Sequence, residues 1–241
     1  MLAALALSAS LLLAPAKTFV VTVLTLPKGG VTVPLQPSGR AEMRRDATVT
    51  RISIELDRLH PPSTLGTGLN SYVVWAISPE GYIENIGEIA MDRDRGRLDT
   101  FSRFDQLGLI ITAEPHYMVD RPSEAVIFRT ENPKGDIRRQ EVSVEVGTYD
   151  YSALTSQAPG PGVPVIIAEA RASLEIAKSA DAERLAEAEF RRARAALDTT
   201  EQLVKRASPL DIVAESANET IRRAQRAATI AREKRSKPPA R

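Results

Sequence analysis

The stretch LNSYVVWAISPEGYIENIGEIAM, residues 69–91, decides the fold of this chain. It predicts two strands, Ser71–Ser78 and Tyr82–Met91, joined by a turn at Pro79-Glu80-Gly81, because short apolar runs around a Pro/Gly turn are typical of a hairpin. The first strand is apolar on both faces and carries the only tryptophan of the chain, Trp75. A strand that is buried on both sides lies in the centre of a sheet. We therefore interpret this hairpin as the centre of a β-sandwich and not as a catalytic motif.

Shorter runs predict the other strands of the same sandwich. Val49–Leu59 alternates between apolar and polar residues with period two, which indicates one buried face and one solvated face. Further strands are expected at Thr18–Leu26, Val31–Leu35, Arg97–Ser102, Leu107–Ala113, Glu124–Arg129 and Glu141–Gly147. Strands at intervals of about 8–12 residues, with no helical period between them, are typical of a sandwich.

Beyond the Pro- and Gly-rich segment Gln157–Pro164 the apolar period changes from two to about three and a half. Three stripes of mostly alanine residues predict three helices, the second starting at Asp181 and the third capped by Ser208 with Pro209 at its first position. The chain is thus predicted to be α+β with two domains. The expected segments are a signal peptide (1–16), a β-sandwich domain (17–150), a linker (151–164), an Ala-rich three-helix bundle (165–235) and a basic tail (236–241).

Composition excludes several classes of function. The chain has 32 Lys and Arg against 31 Asp and Glu, a net charge of +1, and nucleic-acid binding usually needs a strong positive field. It has no cysteine, so a disulfide framework, a thiol nucleophile and a cysteine metal site are all absent. The sequence contains neither a phosphate-binding loop nor a G-x-S-x-G motif. We therefore predict no enzyme activity, no small-molecule cofactor and no nucleic-acid partner.

The N-terminus predicts export to the periplasm or the cell envelope. Leu2–Leu13 is apolar apart from two serines, and Ala14-Pro15-Ala16 matches the small-x-small pattern of a secretory cleavage site. Lys17 ends the apolar run below the roughly 20 residues that span a bilayer. No Lys or Arg precedes the run, and the alternatives to a signal peptide are an uncleaved anchor and a buried helix. A signal peptide and an anchor both place the body of the protein outside the cytoplasm.

Residues 114–122, here called the contact loop, are the first candidate for a functional surface. They follow an apolar strand and contain Glu114, His116, Tyr117 and Arg121. We expect an exposed strand exit with a solvent-facing histidine that contacts a partner. A hydrolytic or metal site built on Glu114 and His116, with His60 as a further metal ligand, is the less favoured interpretation, since a catalytic zinc usually has three protein ligands.

The C-terminal end of the chain is the second candidate. Eight basic residues and one acid lie between Arg222 and Arg241, a net charge of +7. Such a run is suited to an anionic surface or partner, although a solvated helix face is the simpler interpretation. The predicted basic surface consists of Arg222, Arg223, Arg226, Arg232, Lys234 and Arg235.

Three segments resemble known bacterial envelope proteins. YVVWAISPEGYIENIGEI (72–89) resembles the core of the extracytoplasmic C-terminal domain of anti-sigma-K-type factors, which implies an Ig-like sandwich, and LIITAEPHYMVDRPSEAVIF (109–128) resembles the part that follows it in related proteins. Residues 165–235 are similar to Ala-rich helical domains of unknown function that often precede an OmpA-like domain. The given sequence shows neither a sigma-binding segment before Leu2 nor an OmpA-like domain after Arg241, so sigma binding and peptidoglycan binding by such a domain are not carried over from the resemblance.

Together these features predict a non-enzymatic exported protein. It would act as a structural or protein-interaction module whose partner is an envelope protein or an anionic envelope surface. Two alternatives stay open: an envelope-stress signalling component of the anti-sigma type, and an envelope hydrolase.

Overall fold

A computed structural model describes residues 19–26, 37–130, 138–146, 151, 154–155 and 163–236. These residues form two antiparallel sheets in the N-terminal part and four helices at the C-terminal end, so the α+β class is confirmed. Several predicted features lie outside the described residues: the signal peptide, the strand at Val31–Leu35, most of the linker and the last five residues of the basic tail.

The described residues contain ten strands. They are β1 (Phe19–Leu26), β2 (Ser38–Asp46), β3 (Val49–Asp57), β4 (Ser71–Ile77), β5 (Ile83–Glu88), β6 (Ala90–Asp92), β7 (Arg95–Ser102), β8 (Gly108–Glu114), β9 (Val126–Arg129) and β10 (Arg138–Glu145). The first sheet has the order β2-β3-β7-β6, and the second sheet has the order β5-β4-β8-β9. β1 pairs in parallel with β10 in a separate two-stranded sheet.

The two four-stranded sheets share one hydrophobic core. Alternate residues of β3, among them Ile52 and Ile54, are 2% exposed and pack in one cluster with Val74 of β4 and Ile111 of β8. The intervening residues of β3 face outward, as the period of two predicts. The core that joins the sheets is therefore built from large and β-branched side chains.

β4 is buried along its whole length, which confirms the prediction for the opening stretch. One face contributes to the core between the sheets, and the other face packs against Val142 and Val144 of β10. Trp75 lies on this second face, 1% exposed, and its indole N–H donates a hydrogen bond to Thr112 (Nε1 to Oγ1, 2.8 Å). Trp75 is thus a core residue.

The prediction of a single strand over Tyr82–Met91 is wrong. The chain leaves the second sheet after Glu88 and enters the first sheet at Ala90, with Ile89 buried at the crossing. Gly87 has a φ of 132°, a conformation that favours glycine, and the pairing of β4 with β5 shifts register nearby. This local irregularity lets one segment of chain serve both sheets.

Four helices follow instead of the three that were expected. They are α1 (Val165–Ser179), α2 (Ala182–Leu185), α3 (Glu187–Lys205) and α4 (Leu210–Ser236). The extra helix is a single turn, because Asp181 takes a left-handed conformation (φ 66°) and Ala186 a non-helical one. α1 and α3 both pack against α4, and alanines such as Ala224 and Ala228 are fully buried between them. α4 begins after Pro209, one residue later than expected.

Candidate functional site

The contact loop lies between the second sheet and the helices. The backbone N–H of Tyr117 donates a hydrogen bond to Glu169 of α1 (N to Oε2, 3.1 Å), and its hydroxyl donates to Asn218 of α4 (Oη to Oδ1, 2.8 Å). Asp120 forms an ion pair with Arg232 of α4, at 3.5 Å between Oδ2 and Nη2. The contact loop and a residue of the basic surface, which the sequence suggests as separate candidates, therefore contact each other.

We call the polar residues at this junction the interface cluster. They come from β5, from the end of β8, from the contact loop and from two helices. The members are Glu88, Glu114, His116, Tyr117, Asp120, Glu169, Asn218 and Arg232.

The alternation of side chains along the second sheet brings these groups together. Val73 and Trp75 of β4 point away from the first sheet, and Ser71 shares their face because it lies two residues earlier in the strand. Glu114 pairs with Ser71 in register, and Glu88 accepts a hydrogen bond from the Ser71 hydroxyl (Oγ to Oε1, 2.7 Å). One end of this face is apolar and packs on β10. The other end carries carboxyl groups that face the helices.

Asn85 of β5 fixes the contact loop on the sheet. Its side-chain amide donates to the backbone oxygens of Tyr117 (2.8 Å) and Val119 (3.0 Å). Val119 is itself buried in the same apolar cluster as Trp75. The loop is therefore held by hydrogen bonds to the sheet on one side and to α1 and α4 on the other.

Glu114 is fully buried and is surrounded by hydrogen-bond donors. Its carboxyl accepts from the hydroxyl of Thr112, from the backbone N–H of Ser123 (2.7 Å) and from the hydroxyl of Tyr151 (3.2 Å). Burial raises the pKa of Glu114 to about 7, and these hydrogen bonds limit the rise. The side chain is thus a satisfied internal carboxyl with no exposed surface.

His116 is also fully buried, so the prediction of a solvent-facing histidine is wrong. Its Nδ1 accepts a hydrogen bond from the backbone N–H of Met118 (3.2 Å), which leaves the proton of the neutral ring on Nε2. Burial lowers the pKa of His116 to about 3; the charge of Asp120 opposes this shift and that of Arg232 adds to it. The imidazole is therefore neutral at physiological pH.

Glu88 of β5 and Glu169 of α1 lie close enough across the junction for each carboxyl group to influence the pKa of the other. Glu169 is 2% exposed and Glu88 is half-buried. Burial raises the pKa of Glu169 well above its usual range, and the neighbouring charge of Glu88 adds to the rise. Burial also raises the pKa of Glu88.

The basic surface is largely engaged within the chain. Arg222 and Arg223 pair with Glu219 of the same helix, and Arg226 lies 3.9 Å from Glu189 of α3. Lys234 and Arg235 donate to backbone oxygens at the ends of α2 and α1 (2.7 and 2.9 Å). Arg121 of the contact loop is exposed. Binding of a partner by these residues stays a prediction.

Other kinds of site find little support in the described part of the chain. No three His, Cys, Asp or Glu side chains there are grouped as a metal site would need. None of its helices has the length and apolar character required to span a bilayer.

Two open grooves lie away from the interface cluster. The first, of about 720 Å³, lies on the outer face of the first sheet beside Phe101. The second, of about 550 Å³, lies between α1 and α3 beside Phe190.

Comparison with known proteins gives no match: no family model, no curated protein and no solved structure is significantly similar to this chain. The resemblance to envelope proteins therefore stays a prediction.

Sequence reasoning identified Glu114, His116 and Tyr117 but missed Glu88 and Glu169. The signal for Glu169 is present, since it is a single acid within the apolar start of α1, VIIAEA.

Proposed function

We propose that this protein is a non-enzymatic exported protein of the cell envelope that acts as a structural or protein-interaction module. In this proposal an Ig-like β-sandwich and an Ala-rich three-helix bundle form one unit with a fixed junction. Its partner would be an envelope protein or an anionic envelope surface.

The observation that carries the proposal is the burial of Glu114 and His116. A hydrolase that used Glu114 and His116 would have to present these side chains to a substrate, and both are 0% exposed. Glu114 instead accepts three hydrogen bonds from its own chain, and the pKa of His116 is influenced by the charges of both Asp120 and Arg232, which form an ion pair. Neither side chain is therefore accessible to a substrate, and the neighbouring Tyr117 and Asp120 contact the helices.

The architecture supports the two finer assignments. Two four-stranded antiparallel sheets around a shared core have the layered form of a β-sandwich. The three long helices are α1, α3 and α4, with 15, 19 and 27 residues, whereas α2 is a single turn. α1 and α3 both pack against α4. We take these three helices as the proposed bundle.

The groove between α1 and α3 is the surface that we propose for a protein partner. Its floor contains Phe190, Leu174 and Leu197, and its rim carries exposed charged residues that include Lys178 and Arg194. An apolar groove with a polar rim is the usual form of a helix-binding site.

Export is tested by fractionating cells that express the full chain and by sequencing the N-terminus of the recovered protein. We expect recovery in the envelope fraction with a mature chain that begins at Lys17. Recovery of the full-length chain in the cytoplasm only would contradict the proposal.

The interaction is tested by photo-crosslinking in the envelope fraction, with the reactive group placed at Arg194 in the groove or, as a matched control, at the exposed Glu215 of α4. We expect a defined adduct from position 194 and none from position 215. Equal labelling from both positions would contradict a specific site. Identification of a sigma factor in the adduct would favour the signalling alternative instead.

A further inference from the structure

β2 is an open edge of the first sheet. Among the described residues it pairs only with β3, without a shift of register over its 9 residues, and most of its side chains are exposed. Proteins usually keep such an edge short, bulged or covered, because its free N–H and C=O groups can pair with another strand. A long and regular edge is therefore a template for a further strand.

The register with β3 determines which backbone groups of β2 are open. Asp46 lies opposite Val49 across a two-residue turn, and the closing pair of such a hairpin is hydrogen-bonded. Bonded and non-bonded pairs alternate along an antiparallel ladder, so the even-numbered residues of β2 bond to β3. The odd-numbered residues Ala41, Met43 and Arg45 therefore direct their N–H and C=O groups towards the open edge.

The even-numbered side chains of β2 carry alternating charges on the outer face of the sheet. They are Arg40, Glu42, Arg44 and Asp46, and all of them are exposed. When two β2 strands pair antiparallel about Met43, Glu42 of each copy lies opposite Arg44 of the other. Arg40 then lies opposite Asp46. Opposite charges attract at such cross-strand positions, so the strand is complementary to itself in this register.

Neighbouring registers lack this complementarity. Centring the pair on Glu42 places that residue opposite its own copy and Arg40 opposite Arg44. Centring it on Arg44 places Arg44 opposite its own copy and Glu42 opposite Asp46. Like charges in these positions repel each other. Because both shifts leave the same backbone groups at the edge, the charges select the register about Met43.

Met43 lies at the centre of this register and is an exposed apolar side chain, with 43% of its surface accessible. It shares the core-facing side of β2 with Ala41, since they pair with the buried residues Ile52 and Ile54. Both line an apolar cleft of about 220 Å³ between the edges of the two sheets, with Phe128 of β9 on the other side. Pairing about Met43 would bring the Met43 side chains of two copies together beside these clefts and remove apolar surface from water.

We propose that β2 is a self-association surface, to which a second copy of this chain adds its own β2, antiparallel and centred on Met43. The two four-stranded sheets then become one continuous sheet. This surface lies on β2, apart from the groove between α1 and α3, so the inference goes beyond the proposed function and does not rest on it. A contact of one strand with one strand is a small interface, so we expect a dissociation constant on the order of 10 μM.

Sedimentation velocity tests the proposal on protein purified after expression of the full chain, at concentrations from about 1 to about 300 μM. We expect an equilibrium between monomer and dimer that shifts towards the monomer at high salt, because exposed ion pairs are screened. A protein that stays monomeric at the highest concentration in low salt would overturn the proposal.

Charge reversal at the inner pair tests the register, since Arg40 and Asp46 of the outer pair already contact β3. Glu42→Arg alone, or Arg44→Glu alone, sets like charges against each other and should weaken the dimer about tenfold or more. The two variants mixed in equal amounts should associate with each other, because both inner pairs are then opposite in charge again.

The control is Glu215→Arg, a reversal at an exposed position of α4, which should keep the parental dissociation constant. Circular dichroism verifies that each variant is folded, and association of the mixture shows it independently. Parental association of both single variants would overturn the proposal, and so would a mixture of the two that stays monomeric.

Discussion

The core between the sheets and the core among the helices are equally buried but are built from different side chains. Ile54 between the sheets is 2% exposed, and Ala224 among the helices is 0% exposed. Isoleucine and leucine fill the first core by volume, whereas alanine in the second lets helix backbones approach closely and buries little area per residue. The comparison teaches that the sheets are sensitive to lost volume and the helices to added volume.

The largest expected effect is the loss of volume between the sheets. Ile54→Ala should lower the free energy of unfolding by about 2–5 kcal/mol, because it leaves a cavity that the two packed sheets cannot close. Urea denaturation followed by Trp75 fluorescence measures it. The control is Ile83→Ala in β5, where the side chain is 38% exposed. An equal loss at the two positions would mean that the sheet core is loosely packed.

The opposite change tests the helix core. Ala224→Leu should lower the free energy of unfolding by about 1–3 kcal/mol, since the added methyl groups must force α4 away from its neighbours. Ala195→Leu makes the same chemical change on the exposed side of α3, where the added methyl groups extend into solvent. It should leave the free energy of unfolding nearly unchanged. Melting followed by circular dichroism compares the two. A neutral result at Ala224 would show that the helices separate at little cost.

Between the two cores, His116 gives a pH-dependent effect. Its folded pKa of about 3 lies below its ordinary value of about 6.5, so the stability that comes from burying the neutral ring is complete above pH 6.5 and is lost as the pH falls towards 3. The slope is up to about 1.4 kcal/mol per pH unit.

His116→Gln should therefore flatten the acid side of the stability curve, as measured by urea denaturation at a series of pH values. The control is His60→Gln, since His60 is exposed and is the only other histidine of the chain. If His60→Gln flattened the curve instead, His116 would be accessible to solvent.

The smallest effect is expected on the outer face of the first sheet. Glu55 pairs with Arg40 at 2.8 Å, but the two side chains are 48% and 68% exposed. Water and salt screen such a pair, so Glu55→Gln should change the free energy of unfolding by less than about 1 kcal/mol. Denaturation at low and at high salt checks this. A larger loss would show that surface charges contribute to the sheet as strongly as its core does.

The part of the fold that follows from local periodicity could be predicted from the sequence. The alternation over Val49–Leu59 and the doubly apolar run around Trp75 both gave the correct strands. β2 was missed because Ser38–Asp46 is an edge strand with few apolar residues and mostly exposed side chains. The start of a helix at Asp181 was predicted, but the break at Ala186 between α2 and α3 was missed, because alanine favours a helix and leaves no mark on the apolar period.

The candidate site could be predicted only in part. The contact loop was identified because it combines a carboxylate, a histidine and a tyrosine after an apolar strand. Its contacts with Glu169 and Asn218 join residues 52 and 101 positions apart, and no local pattern indicates such a pairing. The burial of His116 depends on these distant contacts, which is why the sequence favoured a solvent-facing histidine.

The contacts of Lys234 and Arg235 have a consequence for the order in which the protein forms. Both side chains donate hydrogen bonds to backbone carbonyl groups at the ends of α2 and α1. These acceptors lie about 50 residues earlier in the chain. Synthesis runs from the N-terminus, so the strands of both sheets leave the ribosome well before α4 is complete. The contacts that close the helices, by contrast, can form only after residues 234 and 235 have been made.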